Sequence, residues 1–527
     1  MEKLKNFIVK NKYTIILIII LLIGFGIRLI GIADYPNALN VDEASAGYDA
    51  YSILTTGHDR NGNFLPVYLV AWGSGQSVLL SYLMIPFIAL FGELSTLSIR
   101  LPMALISCIS LIVFYLLLKE IANKKIALIG LAFFAICPWH ILKSRWGLDC
   151  NLFPDFILFF IYFLVKGLNR KNKIYYYLSF IIVGLSAYTY GTSFFFLPLF
   201  IIPLLIILIN KKEITIKQSI ISLLIIFIIT LPLILFVIIN TFNLPQINLP
   251  FMTIPRLSAN RYEQVTSIFS SNFLENSISN FINAIKVLLL QYDKLDWNAL
   301  YGFGTTYIFS TFFCIIGLLA SFIKKEKELK IKYSYIFSIC LIVSILLMFV
   351  CEPNINRLNI IFIPIIYFTI LGIYLIICNY KKIISILRVL IYLISFGIFV
   401  PTYFQQNWDN YFTFENNLEE VIKYISTLNK EKIYITNKIK EPYIYVLFYS
   451  QYPSQEFHNT VEYYNPNVGL RQVKHFGNYY FGNISEINYY NFSFAYIIKK
   501  EDFNNYKINK NDFKITEFKK YIVIENK

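Results

Sequence analysis

Charged residues, paired cysteines and clustered histidines are scarce in this sequence. Only 15% of its 527 residues are charged and 57% are hydrophobic, with a mean hydropathy of +0.56. These values exclude a disordered chain and a typical soluble enzyme, and they predict a membrane protein with several spanning segments. The seven cysteines form no Cys-x-x-C pair and the four histidines are scattered, so the sequence predicts neither a thiolate zinc site nor an imidazole cluster for a metal.

Acidic residues are also scarce relative to basic residues, and the net charge is +15. The positive charge is unevenly distributed, because residues 404–527 carry 15 Lys or Arg against 14 Asp or Glu. Almost all of the excess therefore lies among the apolar segments of the first 403 residues, where basic residues set topology and contact anionic lipid. We expect membrane lipid as a partner, and no nucleic acid.

Residues 14–32 form the first long apolar run, in which Arg28 is the one ionisable residue. A helix of this length crosses the hydrocarbon core of a bilayer. Four lysines and a single glutamate precede the run, so the positive-inside rule places the N-terminus in the cytoplasm. Because the run offers no A-x-A-like cleavage site, we expect an uncleaved anchor that ends on the outer face of the cell membrane.

Further apolar segments alternate with loops so that every dense basic loop falls on one face. They cover residues 99–118, 126–142, 152–168, 174–190, 194–210, 219–240, 303–323, 333–351, 360–380 and 383–403. The sequence therefore predicts a polytopic α-helical membrane protein of about 11 transmembrane helices, with the N-terminus inside and the C-terminus outside. Residues 77–91 contain Pro86 and are too short to span, so we predict a juxtamembrane helix there.

Two domains are predicted. Residues 1–403 form the transmembrane domain, with an outer loop at 33–98 and a long outer loop at 241–301 that includes an amphipathic segment at 273–291. Residues 404–527 form a small extracytoplasmic α/β domain. Within it, helical spacing covers 416–429 and 442–451, and strand-like alternation covers 432–436, 495–499, 513–518 and 521–525.

The most informative polar stretch is Asn40-Val41-Asp42-Glu43-Ala44, directly after the first apolar run. Two adjacent carboxylates close to a low dielectric have a raised affinity for a proton or a divalent cation. The structural alternative is that Asp42 caps a helix over residues 44–54 with Glu43 in its first turn. Both interpretations are compatible with one another.

Other candidates lie at the outer ends of later spans. Asp149 is placed to approach Asp42, and Arg145 is placed to bind a phosphate or to form a structural bridge with Asp149. Arg357, next to Asn356 in the last tight outer loop, suits a lipid phosphate, with interfacial snorkelling as the alternative. Tyr190 ends an outward-facing span, where an aromatic belt explains a tyrosine equally well.

These features together resemble the GT-C-fold, lipid-carrier-dependent glycosyltransferases, which include the protein O-mannosyltransferases and the aminoarabinose transferases of lipid A. The resemblance covers about residues 6–380. It is carried by the Asp42-Glu43 pair, the juxtamembrane helix that follows, Ser98-Ile99-Arg100-Leu101-Pro102, Ser144-Arg145-Trp146-Gly147-Leu148-Asp149, and the loop of Arg357. The Lys-Pro-Pro often found ahead of the juxtamembrane helix is replaced here by Gly73-Ser74-Gly75-Gln76-Ser77.

The resemblance implies an enzyme that moves a hexose or pentose from a polyprenyl-phosphate donor to an extracytoplasmic acceptor, which is a protein, a glycan or a lipid. Transfer takes place on the outer face with inversion. Asp42 is then the general base, while Glu43 and Asp149 orient the acceptor or hold a divalent metal such as Mg or Mn. Arg145 or Arg357 stabilises the departing phosphate, and Tyr190 and Asn356 are substrate-binding residues.

Two other functions remain open from the sequence. A lipid or polysaccharide transporter or flippase would favour ionisable residues near the bilayer midplane and paired repeats, whereas the informative acids here lie in outer loops and no halves repeat. A polysaccharide polymerase or ligase fits the topology less specifically.

Overall fold

The computed structural model describes residues 2–72, 75–258, 266–267, 271–323, 331–379, 382–406, 408, 414–465, 471–485, 487, 491, 493–506, 508 and 511–526. Gly73 and Ser74, in the stretch that departs from Lys-Pro-Pro, lie outside the described residues. The same holds for residues 259–265 of the long loop and for most of the basic run at 324–332.

All of the apolar segments predicted to span the membrane form helices. Residues 126–142 form two helices, Lys124–Ile136 and Pro138–Ser144. The other ten helices are Glu2–Leu29, Thr96–Ile121, Leu152–Asn169, Lys173–Ser186, Ser193–Asn210, Ile216–Thr241, Ser310–Ile323, Ser334–Val350, Phe362–Asn379 and Lys382–Gln405. Long Ile, Leu and Phe runs favour helices because every backbone N–H and C=O must be paired within the segment when no water is present.

Within the described residues, six helices are long and apolar enough to cross a membrane. The pair Lys124–Ile136 and Pro138–Ser144, bent by 58°, makes a seventh if it is one span. Pro138 lies at the bend, where it has no N–H to continue the helix. Shorter apolar helices include Leu79–Phe91, which matches the predicted juxtamembrane helix. The count of 11 spans and the orientation of both termini stay predictions.

Polar caps begin some of the helices. Asn123 accepts hydrogen bonds from the N–H groups of Lys125 and Ile126, and Asn172 caps helix Lys173–Ser186 in the same way. These side chains satisfy two of the four N–H groups that a helix leaves open at its start. Other α-helices in the described residues are Val41–Thr56, Phe273–Leu290, Leu418–Ser426, Pro442–Tyr449 and Ser454–Thr460.

The chain divides into two compact units. The helical unit consists of Met1–Ile30, Met103–Ile234 and Tyr262–Gln405. The mixed unit consists of Gly31–Pro102, Leu235–Arg261 and Gln406–Lys527. The predicted domain boundary after residue 403 is close to the start of the last segment, but that segment shares its unit with two earlier parts of the chain.

A seven-stranded sheet dominates the mixed unit. Its strands are β5 Lys432–Thr436, β6 Glu462–Tyr463, β7 Val473–Phe476, β8 Tyr479–Gly482, β9 Phe494–Lys499, β10 Phe513–Glu517 and β11 Tyr521–Asn526. Their order across the sheet is β10-β11-β9-β5-β8-β7-β6. Strand β5 pairs in parallel with β8 and β9, and the other pairs are antiparallel. The four strands predicted from alternation are confirmed. A hairpin of β2 Ile247–Leu249 and β3 Met252–Ile254 stands apart.

Two helices of the helical unit pack backbone against backbone through paired glycines. A Cβ added to Gly317, in helix Ser310–Ile323, would overlap the carbonyl oxygen of Phe368, and a Cβ on Gly372 would overlap the carbonyl oxygen of Phe313. Small residues of this kind let membrane helices approach closely, so that van der Waals contact stabilises the pair.

We predict that Gly317→Ala destabilises the protein by about 1–3 kcal/mol, because the new methyl group has no space beside a rigid carbonyl. Thermal unfolding in detergent or nanodiscs measures the effect. Gly397→Ala is the matched control, since the Cβ there meets nothing within 4 Å. Equal melting temperatures for the two variants would contradict the close packing.

Candidate functional site

The helix Val41–Thr56, here called the Asp42 helix, carries both predicted carboxylates in its first turn. Asn40 is its N-cap: the Asn40 side chain accepts a hydrogen bond from the N–H of Asp42 at 2.8 Å, and Glu43 accepts one from the N–H of Asn40 at 3.1 Å. This is a reciprocal capping box. The prediction that Asp42 caps this helix is therefore wrong, because the helix begins two residues earlier with Asn40 as its N-cap, whereas Glu43 does lie in the first turn.

Glu43 is a fully buried positioning residue. Nε and Nη2 of Arg100 donate to its two oxygens at 2.9 Å each, and neither side chain is exposed. Arg100 also donates to the carbonyl oxygens of Pro36 and Ala38 at 2.8 Å. The bidentate pair ties the loop before the Asp42 helix to the helix itself.

Asp42 has a different environment from its neighbour. It is partly exposed, and its Oδ1 accepts a hydrogen bond from Nε1 of Trp72 at 2.7 Å. In the described part of the chain, no hydrogen bond to Oδ2 is found. Of the two adjacent acids, Asp42 is thus the one with an oxygen available to take a proton from a substrate.

Trp72 also lines a cavity in the mixed unit. Arg60, Tyr443, Tyr463 and Arg471 are further lining residues, so the space beside Asp42 is aromatic and cationic. The centre of the Arg60 guanidinium lies 5.6 Å from the Trp72 ring, within the range of a cation–π contact.

Two residues of the Asp42 helix, Ser45 and Asp49, bind the side chain of Arg60. Its Nη1 lies 3.1 Å from Oδ2 of Asp49 and donates to Oγ of Ser45 at 2.7 Å. Burial raises the pKa of Asp49 to about 7, although the adjacent Arg60 guanidinium opposes that rise. Among the described residues, the side chain of Arg60 donates to protein acceptors only through Nη1, so Nε and Nη2 remain for a ligand.

Residues of the last part of the chain build much of this site, which the sequence did not predict. Strand β1 Leu39–Asn40, immediately before the Asp42 helix, pairs with β4 Phe414–Glu415. The hydroxyl group of Tyr48 donates to the carbonyl oxygen of Tyr452 at 2.8 Å. A Cβ on Gly47 would lie 2.8 Å from Ile99 and 2.9 Å from Phe448, so a larger residue would displace one of these side chains.

Asp149 and Arg145 lie in the helical unit. Asp149 begins the 3₁₀ turn Asp149–Asn151, is 7% exposed, and accepts a hydrogen bond from the N–H of Cys150 at 2.8 Å. Arg145 is buried and donates to the carbonyl oxygens of Ile27 at 2.7 Å and Ile30 at 2.9 Å. These contacts hold the end of the first helix, so the geometry gives Arg145 a positioning role. A phosphate contact by Arg145 stays a prediction.

The three other predicted residues are also in the helical unit. Arg357 is partly exposed, and its Nη1 donates to Oε2 of Glu352 at 2.8 Å. Asn356 lines a small cavity together with Trp146 and Asn359. Tyr190 lies in the turn before helix Ser193–Asn210, where its carbonyl oxygen accepts from Oγ of Ser193 at 2.6 Å. The aromatic-belt alternative for Tyr190 therefore stays open.

Asp42 and Glu43 belong to the mixed unit, whereas Asp149 belongs to the helical unit. The approach of Asp149 to Asp42 stays a prediction. For a divalent metal the fit is poor, because Arg100 and the N–H of Asn40 already use the oxygens of Glu43. Over the described residues, no group of three or more His, Cys, Asp or Glu side chains is arranged to hold a metal.

Known proteins resemble the chain in both sequence and structure. The family model described as dolichyl-phosphate-mannose-protein mannosyltransferase matches residues 76–237. ArnT from Cupriavidus metallidurans bound to undecaprenyl phosphate matches with a TM-score of 0.56 and 9% identity, covering 98% of each chain. The chain has a GT-C-like fold. Comparison with curated protein sequences gave no match.

Two structures of the Archaeoglobus fulgidus oligosaccharyltransferase match this GT-C-like chain. The apo form has a TM-score of 0.53, and AglB in complex with an inhibitory peptide and a dolichol-phosphate has a TM-score of 0.52, each at 13% identity. Both alignments cover 84% of this chain, which spans only 64% of the oligosaccharyltransferase chain. The resemblance to GT-C-fold proteins predicted from the sequence is confirmed, and with it the membrane class of the protein.

Asp42 and Glu43 have different environments, and replacing each by its amide tests whether their roles differ. We predict that Glu43→Gln lowers the stability of the folded protein by about 3–5 kcal/mol, because it leaves the buried Arg100 guanidinium without its counter-charge. Asp42→Asn is the matched control and is expected to leave the melting temperature unchanged. Thermal unfolding of both purified variants tests this, and similar melting temperatures would contradict the positioning role of Glu43.

Proposed function

We propose that the protein is a glycosyltransferase that moves a sugar from a polyprenyl-phosphate donor to an acceptor on the outer face of the cell membrane. One observation carries the proposal: the two adjacent acids have different partners. Arg100 binds both oxygens of Glu43, whereas Asp42 accepts a hydrogen bond only on Oδ1 among the described residues. A general base needs an accessible oxygen on a rigid support. Asp42 meets both conditions.

The comparisons support the donor class. ArnT was solved with undecaprenyl phosphate and AglB with a dolichol-phosphate, so two proteins of similar fold bind a lipid phosphate carrier. For the present chain we propose a sugar linked to such a carrier.

The proposed reaction is a single displacement with inversion. An acceptor hydroxyl or amine attacks the anomeric carbon of the donor sugar, and the bond between that carbon and the phosphate oxygen breaks. Asp42 takes the proton of the acceptor, and polyprenyl phosphate leaves as the second product. Our candidate for binding the leaving phosphate is Arg357. It is partly exposed, and its ion-pair partner is the exposed Glu352 side chain.

The cavity beside Asp42 is our candidate for the acceptor-binding site. Its aromatic residues Trp72, Tyr443 and Tyr463 suit the ring faces of a glycan or of an aromatic peptide side chain. Arg60 and Arg471 add donors for the polar groups of such an acceptor. Whether the acceptor is a protein, a glycan or a lipid is decided by the assay below.

We predict that Asp42→Asn lowers turnover by about 10²–10⁴-fold, because the amide cannot accept the acceptor proton. Release of free polyprenyl phosphate is measured from a panel of polyprenyl-phosphate sugars, with the purified protein in nanodiscs and with candidate acceptors added. Asp34→Asn is the control, because Asp34 is an exposed acid in the same loop.

Activity of Asp34→Asn close to that of the wild type and loss of activity in Asp42→Asn would support the proposal. Undiminished turnover in Asp42→Asn would exclude Asp42 as the base. A parallel reaction with chelator tests whether a divalent metal is needed. We expect no change in rate, because protein donors already occupy the oxygens of Glu43.

A further inference from the structure

Helix Phe273–Leu290, here called the loop helix, lies in the long loop at 241–301 and has an exposed apolar face. Large apolar side chains recur on this face every three or four residues, and each is 38–73% exposed: Leu274, Ile278, Ile282, Ile285 and Leu289. At 3.6 residues per turn, this spacing forms one stripe along the helix. Contiguous apolar surface of this kind marks a site of interaction with another protein, a ligand or a membrane.

A second face of the loop helix packs against helix Ser334–Val350. The ring of Phe281 stacks on that of Phe349, with centroids 4.3 Å apart and planes at 9°. Oγ of Ser277 donates to Oγ of Ser267 at 2.9 Å, and Ser267 donates to the carbonyl oxygen of Phe349 at 2.7 Å. These contacts fix the rotation of the loop helix about its own axis, so the apolar stripe has a defined direction.

The third face of the loop helix is polar and exposed. It carries Glu275, Ser279, Asn283 and Lys286. A helix that crossed the bilayer would present these side chains to hydrocarbon, which is unfavourable for polar and charged groups. A helix that lies along the membrane surface instead has its polar side in water and its apolar side in lipid. The division into faces therefore favours a helix in the plane of the membrane.

The apolar stripe continues onto the neighbouring helix Ser334–Val350. Ile342, Ile345 and Leu346 of that helix are exposed. They lie seven, four and three residues before Phe349, and such spacings place them on the same side of the helix. Because Phe349 carries the ring stack with the loop helix, the exposed side chains of the two helices form one apolar surface.

The neighbouring helix belongs to the membrane part of the chain. It has 17 residues, none of them charged, and it packs against the predicted span Asn359–Ile376. The exposed Ile and Leu side chains of such a helix face the acyl chains of the bilayer, because lipid is the solvent at that depth. The stripe of the loop helix thus continues a lipid-facing surface, which identifies lipid as its partner.

Aromatic residues follow the C-terminal end of the loop helix. Tyr292 and Trp297 are partly exposed, and Tyr301 is 79% exposed. Tyr and Trp are enriched where a protein passes through the headgroup region, because each has an apolar ring and one polar group. Their position indicates that this end of the loop helix lies at the membrane–water interface.

We infer that the loop helix is a membrane-binding surface, which lies in the interface with its apolar stripe among the lipid acyl chains. Helices of this type bury their apolar face about 5–10 Å deep at the boundary between headgroups and acyl chains. Glu275 and Lys286 are the only charged residues of the helix, so its net charge is zero and anionic lipid is not required. The inference needs only the membrane class of the protein and is independent of the proposed function.

Fluorescence quenching tests the orientation of the loop helix. Ile285→Cys and Asn283→Cys place a bimane label on nearly opposite sides, and Ile278→Cys and Ser279→Cys repeat the comparison two and one turns earlier. All four side chains are exposed, so the variants are expected to fold. Among the described cysteines five are buried and Cys314 is partly buried, and the signal of labelled wild-type protein is subtracted.

Each labelled protein is placed in nanodiscs of neutral phospholipid, with and without a nitroxide on the acyl chain, and iodide is added to the water phase. We expect the lipid nitroxide to quench the labels at Ile285 and Ile278 more strongly than those at Asn283 and Ser279. Iodide is expected to quench in the opposite order. Replacing part of the lipid by an anionic phospholipid is expected to leave both orders unchanged.

Three results would overturn the inference. Strong iodide quenching of all four labels, without quenching by lipid, would place the whole helix in water. Lipid quenching of all four labels, without quenching by iodide, would show that the helix spans the membrane. Protection of the labels at Ile285 and Ile278 from both quenchers would show that a protein, such as a second copy of the chain, covers the stripe.

Discussion

The ion pair between Arg100 and Glu43 is the contact on which the proposed active site depends. It lies at the start of the Asp42 helix, fully buried, and Arg100 uses its other donors on the carbonyl oxygens of Pro36 and Ala38. A buried pair of this kind is costly to break because each charge is desolvated. The pair therefore fixes the backbone from which the Asp42 side chain extends toward the cavity.

Adjacent acids with unequal environments take different roles. Glu43 has both oxygens occupied by donors of the protein, whereas Asp42 shares one oxygen with Trp72. The same contrast between a structural and a reactive carboxylate recurs in enzymes that tune neighbouring acids by burial and hydrogen bonding. Here the contrast arises within one helical turn, between the side chain that completes the capping box and the side chain next to it.

The last part of the chain supports this arrangement directly. Strand pairing between β1 and β4 joins residues 39–40 to residues 414–415, and Tyr48 reaches Tyr452. Gly47 allows Phe448 to pack against the Asp42 helix. Residues 404–527 are therefore part of the support of the candidate base, and Tyr443, Tyr463 and Arg471 also line its cavity.

The sequence predicted the helices and four of the strands because these follow from periodicity over a few turns or a few alternating residues. It also pointed to Asp42 as a candidate, since two acids at the end of an apolar run are conspicuous, and the role of Asp42 stays a prediction. It did not predict the contact of Trp72 with Asp42, nor the pairing of strand β1 with strand β4. Those contacts join positions far apart in the chain, and local patterns carry no information about them.

Arg145 is another residue whose contacts local sequence patterns do not reveal. Its place in an outer loop beside Asp149 predicted either a phosphate contact or a structural bridge with Asp149. In the structure its guanidinium donates to carbonyl oxygens of Ile27 and Ile30 and to the hydroxyl group of Tyr403. Only the three-dimensional arrangement reveals how many of its donors the protein itself uses.

Selective chemical modification tests the central claim most directly. The wild-type protein in nanodiscs is treated with a water-soluble carbodiimide and an amine, and peptide mass spectrometry locates the modified carboxylates while release of polyprenyl phosphate is followed. The account predicts modification of Asp42 but not Glu43, with turnover lost in proportion. Full turnover after complete modification of Asp42, or modification of Glu43 ahead of Asp42, would contradict it.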